Sequence, residues 1–156
     1  MVTVESVTFD TLGCAETSHI DNGISEFKSW GNGDLNIGEE YLQIAPDWES
    51  LDREYLRESI GSGLPEGTEV LDFEVSEISG APAVVGLFKG HQQDTFMAFA
   101  NIMILFAECM WSVQIQIMQA EEPEALERLG RLVTALVGSI RFTEDVSMLE
   151  PYSPGA

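Results

Sequence analysis

The chain is short of cations. Seven Lys and Arg residues stand against 27 Asp and Glu, for a formal net charge of −20. Nucleic-acid backbone and anionic membrane surfaces both demand a positive footprint, so neither is expected as a partner. Cysteine is scarce too. Cys14 and Cys109 lie far apart, which permits one disulfide but no disulfide framework, and separate thiols suit a reducing compartment. His19 and His91 are the only histidines. Neither lies at metal-ligand spacing from a Cys or Asp, so no metal site is expected, and both read as surface-loop residues. The chain lacks a Gly-x-Gly-x-x-Gly stretch, a phosphate loop and the Gly-x-Ser-x-Gly elbow of a hydrolase. Gly61-Ser62-Gly63 reads as a helix stop. With 27 acids, adjacent carboxylates such as Glu39/Glu40 and Glu121/Glu122 arise by chance. No catalytic residue and no cofactor is therefore expected. Met1-Val2-Thr3-Val4-Glu5-Ser6 has neither a basic n-region nor an apolar h-region, so the expectation is a cytoplasmic protein. A membrane helix needs about 20 apolar residues in a row. The most apolar run is broken by Asn101 and Glu108 and passes at once into period 2.

What the sequence does have is a core. Hydrophobic residues make up 44% of its 156 residues, and a chain of this size buries roughly 70% of its unfolded surface. The centre of that core is the stretch 95–118. Phe96 to Phe106 is apolar at almost every position, as in a strand covered on both faces. Trp111 to Met118 alternates strictly: Trp111, Val113, Ile115 and Ile117 against Ser112, Gln114, Gln116 and Met118. A turn at Glu108-Cys109 pairs the two runs antiparallel. With Ala107 opposite Met110, the pairs are Phe106/Trp111, Ile104/Val113, Ile102/Ile115 and Ala100/Ile117. That face is wholly apolar. The other face is mixed, and a slip of one residue would exchange the two.

Around this hairpin the chain reads as follows. Val2–Phe9 is a first strand and Leu12–His19 a loop. Asp21-Asn22-Gly23 turns the chain into a strand Ile24–Trp30. Asn32–Glu40 looks like a calcium loop, but neither starting register supplies the required Gly at position 6 or Glu at position 12. It reads as a hairpin turn into a strand Leu35–Ile44, ended by Pro46. Ser50 caps a helix to Ile60. Strands follow at Glu69–Ile78 and Pro82–Phe88, then a polar connection, Lys89–Gln93. Pro123 opens the last helix, with a stripe of Leu126, Leu129, Val133, Leu136 and Ile140. Glu124/Arg128 and Glu127/Arg131 are i,i+4 pairs on it. Residues 144–156 read as a fraying tail. The expectation is α+β: one domain over 1–143, an antiparallel meander with helices packed on it.

Three short patterns bear a resemblance. They are Ile44-Ala45-Pro46-Asp47-Trp48 before a helix, Gly80-Ala81-Pro82-Ala83-Val84-Val85 leading a strand, and Val137-Gly138-Ser139-Ile140-Arg141-Phe142 closing the last helix. Across about Leu35 to Phe142 the layout resembles the Mog1/PsbP-like superfamily, an α/β/α sandwich around an antiparallel sheet, with residues 1–34 as an N-terminal extension. The resemblance implies a non-catalytic binding or adaptor domain acting on a protein partner. That superfamily includes chaperones of type VI secretion effectors, so one version is a chaperone shielding an apolar segment of a secreted effector. A different class of reading is a small-ligand carrier or enzyme with a pocket between sheet and helix. The acidic charge suits a basic partner, and a homodimer is a further option. The candidate partner-binding residues lie on the mixed face of the hairpin: Phe99, Asn101, Met103, Gln114, Gln116 and Met118. Flexible Met and amide side chains suit a surface that repacks around varied segments. The plainer alternative is that the helix Leu51–Ile60 covers this face.

Overall fold

A computed structural model describes residues 4–92, 94–118 and 121–154. Val2 and Thr3 of the expected first strand, and Gln93 of the expected connection, lie outside them. A short 3-10 turn, Val4–Ser6, opens the described chain, followed by β1 (Val7–Thr8), β2 (Ala15–Asp21), β3 (Ser25–Asn32) and β4 (Leu35–Leu42). Helix α1 (Arg53–Gly61) precedes β5 (Glu69–Ile78), β6 (Ala81–Gln92), β7 (Thr95–Leu105) and β8 (Met110–Met118). Helix α2 (Glu122–Ser139), β9 (Arg141–Phe142) and a last turn of helix, α3 (Glu144–Ser147), complete it. The fold is α+β. Seven strands form one antiparallel sheet in the order β2-β3-β4-β8-β7-β6-β5, and β1 pairs with β9.

The expected hairpin is present, with a different register. Ile104 lies opposite Trp111, Ile102 opposite Val113, Ala100 opposite Ile115 and Ala98 opposite Ile117. The offset from expectation is two residues, so every side chain keeps its expected face. The cause is the turn. Phe106 leaves the ladder, donates its N–H to the Cys109 carbonyl at 3.0 Å, and bridges to Pro151 instead.

The two faces of the sheet are closed by different elements. On the first, Leu35, Ile37, Ala98, Ala100, Ile102, Ile104, Trp111, Val113, Ile115 and Ile117 are buried against Ala125, Leu129 and Leu136 of α2. The centre of the α2 stripe is thus Ala125, Leu129 and Leu136, while Leu126 and Val133 flank it half-buried. On the second, Leu56 of α1 is buried among Phe73, Val84, Phe88, Phe99, Met103 and Leu105. Ser50 does not cap the first turn of α1 itself. Its Oγ accepts from the Asp52 N–H at 2.9 Å, one step earlier, and the helix begins at Arg53.

Three other segments depart from expectation. Residues 15–21 form a strand where a loop was expected. Lys89–Gln92 continues β6 rather than leaving the sheet. The tail is docked: α3 buries Val146, and Tyr152 Oη donates to the Pro46 carbonyl at 2.7 Å and accepts from the Trp48 N–H at 3.1 Å. The segment Asn32–Glu40 is the β3–β4 hairpin, with Asn32 opposite Leu35 and Gly33 at φ 63°. No described helix is long and apolar enough to cross a membrane.

Candidate functional site

Helix α1 cannot cover its face of the sheet. Seven strands spaced about 4.8 Å apart span roughly 29 Å, whereas a helix is only about 10–12 Å across. The helix packs on β5 and its neighbours, with Met110 at one end of β8 against the same cluster, so β3 and β4 lie beyond the helix's width on that side. The six residues expected on the mixed face divide along this boundary. Phe99 and Met103 are each only 7% exposed, under α1, and Phe99 stacks on Phe88 with ring centroids 4.9 Å apart. Asn101, Gln116 and Met118 are half-buried at the margin, and Gln114 is exposed. Gln116 Nε2 reaches the Met97 sulfur at 2.6 Å and the Met118 sulfur at 3.9 Å.

Strand pairing sets these margin residues in rows that run out to the sheet edge. One row is Asn101, Gln114, Gly38, Ser29 and Ser18; the next is Phe99, Gln116, Asn36 and Gly31. The first is a track of amide and hydroxyl groups, ending in Ser29 Oγ bonded to Ser18 Oγ at 2.6 Å and Thr17 Oγ1 at 2.7 Å. Phe27 lies across the gap. A Cβ on Gly38 would stand 3.2 Å from the Phe27 ring, so any larger residue there would push the ring by a few tenths of an ångström. Phe27, Ser29, Asn36, Gly38, Gln114 and Gln116 line a cleft of about 220 Å³. Ile20, Ile24 and Ile44 are 59%, 61% and 63% exposed.

A second constellation lies on the opposite face and was not among the expected site residues. Glu39 occupies the inward register of β4, after Leu35 and Ile37, and is 2% exposed. Its Oε2 accepts a 2.7 Å hydrogen bond from Trp111 Nε1. Burial raises its carboxyl to about 8, against the lowering effects of the Trp111 hydrogen bond and of Lys28; Glu26 and Glu5 push it further up. The N-terminal segment forms the lid of this site. Val4 donates its N–H to Glu26 Oε1 at 2.9 Å, and Phe9 meets Trp30 and Trp111 edge-on at 5.4 and 5.7 Å. The signal for Glu39 was in the sequence: a lone carboxylate on the apolar register of an alternating strand. His19 is a strand residue here, its Nε2 2.7 Å from Glu26 Oε2, and His91 on β6 meets the Phe96 ring at 5.7 Å. Cys14 and Cys109 are buried free thiols. Among the described residues no group of three or more His, Cys, Asp or Glu is arranged to hold a metal ion.

Fold and surface together define an α+β domain with one half-covered sheet face. No family model matches the chain, and no curated protein matches its sequence. Among solved structures the fold is similar to that of LpqN, described as involved in cell envelope biogenesis of Mycobacterium tuberculosis. The TM-score is 0.44 and the identity 7%, over 91% of this chain and 81% of that one.

Proposed function

We propose that the protein is a non-catalytic binding domain that holds a protein partner on the uncovered half of its sheet, across β3, β4 and β8. One observation carries this reading: a row of amide and hydroxyl side chains, interrupted at Gly38 where the Phe27 ring lies, on a face that α1 is too narrow to cover. Such a surface offers hydrogen bonds beside apolar contact, the mixture found in non-obligate interfaces. The resemblance to Mog1/PsbP-like adaptors points the same way. A chaperone for an apolar segment is the narrower version, favoured by the exposed side chains of Ile20, Ile24 and Ile44. The acidic charge favours a partner with basic groups at the rim.

The test is affinity capture from the source cell with the parent chain and with Gln114→Lys. Partners retained by the parent and lost by the variant support the reading. Equal capture by both moves the interface off this face.

A further inference from the structure

We propose that the cleft between the N-terminal segment and β3–β4 is a binding site for an ammonium group on a short apolar stem, paired by Glu39. The cleft measures about 190 Å³ and is lined by Val4, Val7, Phe9, Trp30, Lys28 and Glu39 among others. A cavity near 150 Å³ already holds benzene, so the space suits an alkyl or aryl stem. Val4, Val7, Phe9 and Trp30 give it apolar walls beside the polar Glu5, Thr8, Thr11 and Lys28, and the buried Glu39 faces into it. Glu39 Oε2 is committed to Trp111, while Oε1 has no partner among the described residues. A buried carboxyl with an unused oxygen is costly unless something completes its hydrogen bonding.

The surrounding charge selects a cation. Glu26 and Lys28 on β3, Glu16 and His19 on β2, and Glu5 on the 3-10 turn face this region. Lys28 also lines the cleft with its side chain only 16% exposed, and its Nζ is held 3.5 Å from Glu5 and 3.3 Å from Glu16. Three carboxylates therefore stand against one lysine even before Glu39 is counted. The Trp30 ring already takes a cation, with Lys28 Nζ 5.8 Å from its centroid, and an aromatic wall suits an ammonium. At neutral pH the buried Glu39 carries its proton. An entering ammonium pairs with the carboxylate, so that proton leaves to solvent as the cation binds.

The experiment is a titration of the full chain with phenethylamine, protonated throughout pH 6–8, followed by NMR. The neutral isostere 2-phenylethanol is the control. We expect shifts at Val4, Phe9 and Trp30, and amine affinity rising up to about tenfold per pH unit towards pH 8, because one proton is released per cation bound. Glu39→Gln keeps an acceptor for Trp111 and should lose both the affinity and this slope. Equal binding of amine and alcohol, a flat pH profile, or no binding overturns the site. Should the variant fail to fold, the parent's pH profile and the alcohol control still decide. A short lysine-bearing peptide that competes as well as the amine assigns the ammonium to a partner's side chain; competition by the amine alone assigns it to a small free amine. Both support the site.

Discussion

Arg128 Nη1 lies 2.9 and 3.0 Å from the two carboxylate oxygens of Asp34, joining the middle of α2 to the β3–β4 turn. The sequence offered Glu124 as its helical partner, yet the tertiary partner takes it. The same turn accepts from β8, through Met118 N–H to the Asp34 carbonyl at 2.9 Å. Both side chains are about a third exposed, and a solvated pair of this kind contributes up to about 1 kcal/mol. We expect Arg128→Ala to cost no more than that in urea unfolding, and the cost to shrink in 1 M salt.

Met103 and Gln114 share a sheet face but belong to different halves of it. Met103 is buried beneath α1, and Met→Ala there should cost about 2–5 kcal/mol. Gln114→Ala should stay within about 0.5 kcal/mol, as for surface substitutions generally. Urea midpoints at constant m-value compare them directly. Equal losses would place Gln114 in the core.

The pH dependence of stability should carry the mark of Glu39. Its carboxyl ionises near 4.5 in the unfolded chain and at about 8 when folded. Between those values the folded state binds more protons than the unfolded state, so stability falls as pH rises. The contribution is fully present below the unfolded value and lost above the folded one, with a slope of up to about 1.4 kcal/mol per pH unit. Glu39→Gln should flatten this part of the profile in thermal melts from pH 5 to 8. A parent profile no steeper than the variant's would show Glu39 ionised in the fold.

Gly86 has no room to grow. A Cβ there would stand 2.7 Å from Phe88 Cζ and 3.0 Å from Phe73 Cε2, both rings buried. Gly86→Ala should therefore destabilise by about 1–3 kcal/mol, the usual cost of overpacking a full core. A gain would mean that the Phe88 ring can move aside.

Which parts of this fold were legible in the sequence follows from what each segment buries. The faces of β7 and β8 were legible because side-chain parity is a local property. Their pairing was not, because it depends on a four-residue turn held by Pro151 near the far end of the chain. Strand β2 was missed for a physical reason. Ala15–Asp21 is an edge strand exposed on both sides, so it has no apolar alternation and is held by backbone pairing to β3. Of the candidate site, the alternation marked the mixed face but not where α1 would end. Glu39 stood in plain view beside Glu40, and only the burial of the in-facing register separates the two.

The sheet is two hairpin arrays with one seam. β2-β3-β4 and β5-β6-β7-β8 each pair sequence neighbours, while the β4–β8 ladder, Leu35 with Ile117 through Leu42 with Met110, closes a loop containing α1 and three whole strands. Contacts that distant in sequence are the slow ones to form. Until the ladder zips, each array presents an unpaired edge with an apolar face behind it, a template for the matching edge of another copy. The rate of correct closure, not the strength of either array, therefore decides how much of a concentrated refolding sample exchanges halves between chains.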